Sequence, residues 1–230
     1  MKKNCYEIIK DEAALLEFID WLPELQDNEQ YYLSLFARKK YCSDLIRSND
    51  KTQLRRFTSS KERMLDKIKQ LEIPIGTWKL GEQSAPQKSL VLYIMPNPRD
   101  MIKATKMMGK HCWDLDRSKN FNLVAEAMSC VQQSKSRNCF VDFDIDTKDV
   151  DLGVLDWFIS PESYTVLETR GGYHILIDPA KAAEKAKSDP MSFSKNWYQE
   201  MIDAFNIDQI GDMMIPVPGC VQSDFIPKFI

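Results

Sequence analysis

Residues 139–149, CFVDFDIDTKD, alternate in a way that leaves the chain little freedom. In an extended strand Cys139, Val141, Phe143 and Ile145 fall on one face, and Asp142, Asp144 and Asp146 on the other. The apolar face demands a core, and a one-residue slip would bury the acids, so the register is well specified. Aspartate is a poor strand former, and like charges side by side repel. The acidic face therefore either meets solvent as a wet strand end or holds cations. Carboxylates held this close gain proton affinity unless positive charge sits between them. Mg²⁺, bound by one or two carboxylates, water and substrate phosphates, is the usual form of that charge.

A chain of 230 residues forms one domain, or one core made of two packed halves. Its six cysteines are scattered without a C-x-x-C pair, and His111 and His174 are the only histidines, which argues against a zinc site. The N-terminal stretch MKKNCYEIIKDEAALLEF carries charges through its apolar positions, so it reads as neither signal peptide nor membrane span. Free thiols in a reducing cytoplasm are expected. A net charge of −3 neither announces nor excludes a nucleic-acid binder, because binding depends on local patches.

Residues 11–22 suit an amphipathic helix, and 29–41 a long strand ending in the basic cluster Arg38, Lys39 and Lys40. Basic residues continue through Arg47, Arg55, Arg56, Lys61 and Lys67 to Lys69, either as a track for a nucleic-acid backbone or as a solvated helical face. Within this segment SSKERMLDKIKQLE has helical periodicity, with a Ser cap before Glu62. IPIGTWKL and SLVLYIMP read as strands, and NPRDMIKATKMMGKHC and NFNLVAEAMSCVQQS as helices. After the acidic strand, DVDLGVLDWFI reads as a crossover helix and SYTVLETRGGYHILID as a hairpin through Arg170, Gly171 and Gly172. Residues 179–206 read as mostly helical, and the proline-bearing end MMIPVPGCVQSDFIPKFI as edge or irregular strands. The order β–α–β–β–α–β, with helices before it, predicts an α+β sheet protein.

Two further places carry candidate chemistry. Gly171 and Gly172 allow a ligand to approach the backbone, and His174 with Arg170 could hold phosphate oxygens; alone, the same residues are only a turn and a strand. Asp212, before the apolar run MMIPVPG, could supply a metal ligand from a separate segment, with Asp208 and Asp224 as competitors, or it is a turn aspartate. Arg99 in NPRD either faces a phosphate or belongs to a helix start.

Taken in order, DFDID, then GYH (Gly172, Tyr173, His174), then GD (Gly211, Asp212) followed by IPVPGCVQ resembles the archaeo-eukaryotic primase superfamily over roughly residues 30 to 230. Gly172 stands where that family often has Ser, and MMIPVPG lacks the Arg common after the third motif, which leaves Lys228 as the nearest basic residue in sequence. The resemblance implies a single catalytic domain over 1–230, with an N-terminal α/β unit (about 1–135) packed on an RRM-like mixed sheet (136–230) and the active site in the cleft between them. It implies a template-directed nucleotidyltransferase that joins nucleoside triphosphates on single-stranded DNA with two divalent ions, Mg²⁺ or Mn²⁺. The pair Asp142 and Asp144, or Asp144 and Asp146, would bridge the ions, and Asp212 would hold one of them. His174, Gly172, Arg170 and Lys228 would meet the nucleotide. Arg38, Lys39, Lys40, Arg55 and Arg56 would carry the nucleic acid, with Phe36, Tyr41 and Phe57 stacking bases. A helicase or replication complex is the expected protein partner, and no membrane is. The competing expectations are a non-catalytic nucleic-acid or nucleotide-binding replication accessory and, less well matched because DTKD is a poor acid–x–Lys strand, a metal-dependent nuclease.

Overall fold

The computed structural model describes residues 4–42, 51–113, 122–205 and 207–230. It is a mixed α+β architecture with two five-stranded antiparallel sheets. The first half contributes α1 (Glu12–Trp21), β1 (Glu29–Arg38), β2 (Lys51–Ser59), α2 (Lys61–Lys69), the small ribbon β3 (Lys79–Leu80) and β4 (Gln83–Ser84), β5 (Leu90–Ile94), β6 (Arg99–Asp100), α3 (Met101–Trp113) and α4 (Leu123–Gln133). The second contributes β7 (Val141–Ile145), β8 (Tyr164–Glu168), β9 (Tyr173–Ile177), α5 (Pro179–Ser188), α6 (Trp197–Ala204), β10 (Gln209–Gly211), β11 (Ile215–Pro216) and β12 (Lys228–Phe229).

In the first sheet β1 lies between β2 and β5, and β6 pairs with its first residues. Its odd-numbered side chains, Tyr31, Leu33 and Leu35, enter the largest core with Leu15 and Phe18 of α1 and Met64 and Ile68 of α2. Its even-numbered Tyr32 meets Met95, Ala104 of α3 and Val131 of α4. A strand buried on both faces needs the near-continuous apolar run YYLSLFA. Asp11 caps α1 by accepting from the Ala14 N–H, as the acidic helix start predicts. Ser60 stands at the N-cap of α2, but its side chain bonds no backbone N–H there.

The second sheet has the order β10-β7-β9-β8-β12, every neighbour antiparallel. Phe143, Ile145, Ile175 and Ile177 pack under Ala182 of α5 and Trp197 and Met201 of α6. On the opposite face Leu167 and Leu176 join the large core of the first sheet. That face changes character along β7 and β9: Asp142 pairs with the buried Leu176, whereas Asp144 pairs with His174. The chain then changes sheets once more, because β10 pairs with β7 while β11 pairs with β5.

Several sequence expectations need correction. The long strand stops at Arg38, and Lys39–Tyr41 form a 3₁₀ turn. Lys51–Ser59, read as part of a basic run, is a strand, because its alternation serves pairing with β1. The crossover after the acidic strand is a 3₁₀ helix over Leu152–Trp157, where Gly153 has weak helix propensity and Asp151 accepts from its N–H. Of IPIGTWKL, Lys79 and Leu80 form a short ribbon strand and Pro74 a single bridge to Cys5. Arg47 lies outside the described residues. Among the described residues no helix is long and apolar enough to cross a membrane.

Candidate functional site

Where the two sheets meet, the acidic face of β7 opens onto a cleft of about 460 Å³. Asp144, Asp146, Asp208, Asp212 and His174 line it together with Arg38, Lys40 and Arg170. The alternation of β7 explains the first of these acids. With Phe143 and Ile145 committed to the core beneath α6, Asp144 and Asp146 have to face the other sheet.

Asp142 shares that face but does not line the cleft. It is 1 % exposed, and the His174 Nδ1–H donates to its carboxylate at 2.9 and 3.1 Å. The bond fixes the ring so that Nε2 lies 3.7 Å from Asp144 Oδ1. Burial disfavours the His174 imidazolium, yet Asp142 first, then Asp144 and Asp146, outweigh it and raise the pKa above its ordinary value. Burial pushes the Asp144 carboxyl up to about 6; His174 opposes the rise, and Asp142, Asp146 and Asp208 add to it. Asp144 thus stands in a place that disfavours its own charge.

Asp146 is exposed and adjoins the β8–β9 turn: a Cβ built on Gly171 would lie 3.5 Å from its Oδ1. A Cβ on Gly172 would lie 1.8 Å from the Ile145 carbonyl oxygen, so only glycine permits the turn to close against β7. Gly172 shapes the site without lining it. Thr169 sharpens the turn, its N–H donating to the Gly172 carbonyl at 2.9 Å.

Asp212 sits in the crossover between β10 and β11. Arg99, buried at 1 % exposure, grips it with Nη1 to Oδ2 and Nη2 to Oδ1, both at 2.7 Å. The Asn97 amide also donates to Asp212 Oδ1 at 2.9 Å and to the Phe140 carbonyl at 2.9 Å. Arg99 therefore faces a carboxylate and does not stand open to a phosphate, while Asp100 of the same motif caps α3 by accepting from the Lys103 N–H at 2.9 Å.

The cations of Arg38, Lys40 and Arg170 gather around one ring, 6.0, 5.6 and 5.1 Å from the Tyr41 centroid. Arg38 donates to the Tyr93 hydroxyl at 2.8 Å, and Arg170 Nε to Asp224 at 2.8 Å. Asp224 is thereby the partner of Arg170, outside the cleft lining. Gln222, only 4 % exposed, accepts from the Arg170 N–H at 2.8 Å and donates to the Tyr41 hydroxyl at 3.3 Å.

The other residues singled out in the sequence lie elsewhere. Lys228 pairs with Glu168 at 3.6 Å on the β12 edge. Lys39 is absent from the cleft lining. Arg55 and Arg56 border a separate groove beside α4, where Arg56 donates to Ser129 at 3.2 Å. Phe36 is buried edge-on against Tyr93, and Phe57 packs on the large core, so of the three aromatics Tyr41 alone reaches the cleft. Asn97, Tyr93 and Gln222 had no local signal, because each acts through a partner far along the chain.

Among the described residues, the one group bringing three potential metal-ligand atoms within 4.8 Å of one another is His111, Glu126 and Cys130, away from this cleft. Compared with known proteins, the chain matches no family model, no curated protein and no solved structure.

Proposed function

We propose that the chain is a metal-dependent, template-directed nucleotidyltransferase of the primase–polymerase type, with its site in the cleft between the sheets. The observation that carries this reading is the meeting of both charges in one cavity: Asp144, Asp146, Asp208 and Asp212 line it with Arg38, Lys40 and Arg170. A triphosphate with its divalent ions needs both signs of charge within reach. The sheet order lends support. Taking β7, β8, β9 and β10 as first to fourth, the order 4-1-3-2 with crossovers after the first and third strands is that of a split β-α-β unit, the RRM-like arrangement.

The donor set fits Mg²⁺ or Mn²⁺, which prefer oxygen ligands. Asp144 of β7 and Asp146 just beyond its end are the ligands from this segment, since Asp142 is occupied by His174. Asp212 Oδ1 accepts two hydrogen bonds and Oδ2 one, so Oδ2 keeps a lone pair for a single bond into the cleft. Bound ions would neutralise charge on the triphosphate and lower the pKa of the attacking hydroxyl. Asp142 orients His174, whose other ring nitrogen faces the nucleotide's phosphates. Arg38, Lys40 and Arg170 bind phosphates, and Tyr41 offers an aromatic face to a base or sugar. Single-stranded DNA and nucleoside triphosphates are the substrates of this reading, and a helicase or replication complex its partner.

A second reading, a non-catalytic nucleotide- or nucleic-acid-binding accessory, is favoured by one observation. Asp212 is already neutralised by Arg99, which weakens its pull on a cation. Incubation with single-stranded DNA, Mn²⁺ or Mg²⁺ and labelled nucleotides separates the two. Templated product that Asp144→Ala abolishes supports the enzyme; nucleotide binding without product supports the accessory, and shortened DNA would indicate a nuclease.

A further inference from the structure

The sequence argues against zinc because its cysteines form no C-x-x-C pair and its histidines number two. The fold supplies what spacing does not. Glu126 and Cys130 are four residues apart on α4 and so project from one side of it. His111, in the last turn of α3, meets them there: its Nδ1 hydrogen-bonds Glu126 Oε1 and lies 3.5 Å from Cys130 Sγ. We propose that His111, Glu126 and Cys130 form a binding site for one Zn²⁺ ion that clamps α3 to α4.

Three features carry the assignment. The first is geometric. With Zn–N near 2.05 Å and Zn–S near 2.3 Å at a tetrahedral angle, the N···S edge is about 3.6 Å. The observed 3.5 Å matches it, while Nδ1 and Glu126 Oε1 are in direct hydrogen-bond contact, which the ion would have to part. The second is chemical. One imidazole, one thiolate and one carboxylate make a mixed N, S and O set that suits Zn²⁺ and is too soft for Mg²⁺. With the thiol proton released on binding, thiolate and carboxylate together balance the ion's charge beside a buried sulfur. The third is the exclusion of the obvious rival. A Cys–His–acid relay needs the acid on one ring nitrogen and the sulfur on the other. Here both approach Nδ1, so the triad converges on a point instead of forming a chain.

The three protein ligands leave the fourth position to water. The ion would add a fixed link beside the small, methionine-rich cluster that α3 and α4 share with Tyr32 and Met95. It would also fix α4 beside β2, where Arg56 meets Ser129. The site lies outside the cleft and stands whether or not the proposed activity does.

Titration of the whole chain with Co²⁺ tests it. One equivalent should produce the visible bands of a four-coordinate ion and a near-ultraviolet thiolate-to-metal band, both abolished by one equivalent of Zn²⁺. Cys130→Ser should remove the thiolate band while far-ultraviolet circular dichroism stays unchanged. Glu126→Gln, at a partly exposed position, should weaken Zn²⁺ binding by about 100-fold or more, at or beyond the upper end of losses seen for supporting groups. Cys112→Ser and Asp144→Asn should leave the spectrum intact. Absence of the band in the unaltered protein, its survival in Cys130→Ser, full affinity in Glu126→Gln or its loss in Cys112→Ser would overturn the assignment.

Discussion

Arg99 holds Asp212 through two parallel hydrogen bonds of 2.7 Å, one to each carboxylate oxygen. The guanidinium is buried and the carboxylate largely so, at 1 % and 18 % exposure, so loss of one partner strands the other. Arg99→Ala should lower the unfolding free energy by about 3–5 kcal/mol. The urea midpoint at unchanged slope measures it. A loss below about 1 kcal/mol would mark the pair as a solvated surface contact.

The two titrating groups at the cleft predict an acid-shifted stability profile. Asp144 binds its proton more tightly in the fold, near pH 6 against an ordinary 3.8, so stability falls as pH rises through that interval. His174 is raised as well; its contribution is complete below the ordinary 6.5 and is lost as pH rises through the folded value. Glu29 and Glu168 are lowered, so their contributions disappear as pH falls through their folded values. Thermal midpoints measured with chelator should peak at about pH 5. A peak at or above pH 7 would contradict this balance of charges.

Removing the charge of Asp144 should therefore stabilise the metal-free protein. Asp144→Asn at pH 7 should gain about 1–2 kcal/mol after allowance for partial exposure, or roughly 3–6 °C. The gain should vanish near pH 4, where the native carboxyl is already protonated. The same change should cut templated product by about 100-fold or more and abolish stabilisation by Mn²⁺. Calorimetry at the two pH values and primer extension read the two effects separately.

Gly171 and Gly172 are neighbours with opposite tolerance. A methyl on Gly172 meets the Ile145 carbonyl at 1.8 Å, and one on Gly171 meets only a carboxylate oxygen at 3.5 Å. Gly172→Ala should cost about 2–4 kcal/mol and Gly171→Ala less than about 0.5 kcal/mol. Equal costs in denaturant unfolding would show that the turn relaxes.

The acidic strand was legible because period-two alternation encodes face and register together, and Phe143 and Asp144 do face opposite ways. The hairpin was legible from its paired glycines, and α1 from Asp11 and its acidic start. The division of labour among the acids was not. Asp142 and Asp144 look alike in sequence, and only pairing with Leu176 in one case and His174 in the other separates the buried from the cleft-facing carboxylate. The fate of Arg99 was equally hidden, since its partner lies 113 residues away. The basic run misled because strand β2 sends Arg55 and Arg56 to a groove beside α4, while Arg38 and Lys40 turn to the cleft. Charge density along a chain does not report which surface the fold gives each charge.

The crossover at Asp212 limits how the molecule can move. Gly211 belongs to one sheet and Ile215 to the other, and four Cα steps between them span at most about 15 Å. Beside it Asn97 staples Phe140, the residue before β7, to the first half through both its amide and its carbonyl. The same Asn97 amide reaches Asp212, so both ties fall together at the start of β7. Any widening of the cleft would have to pivot about this one point.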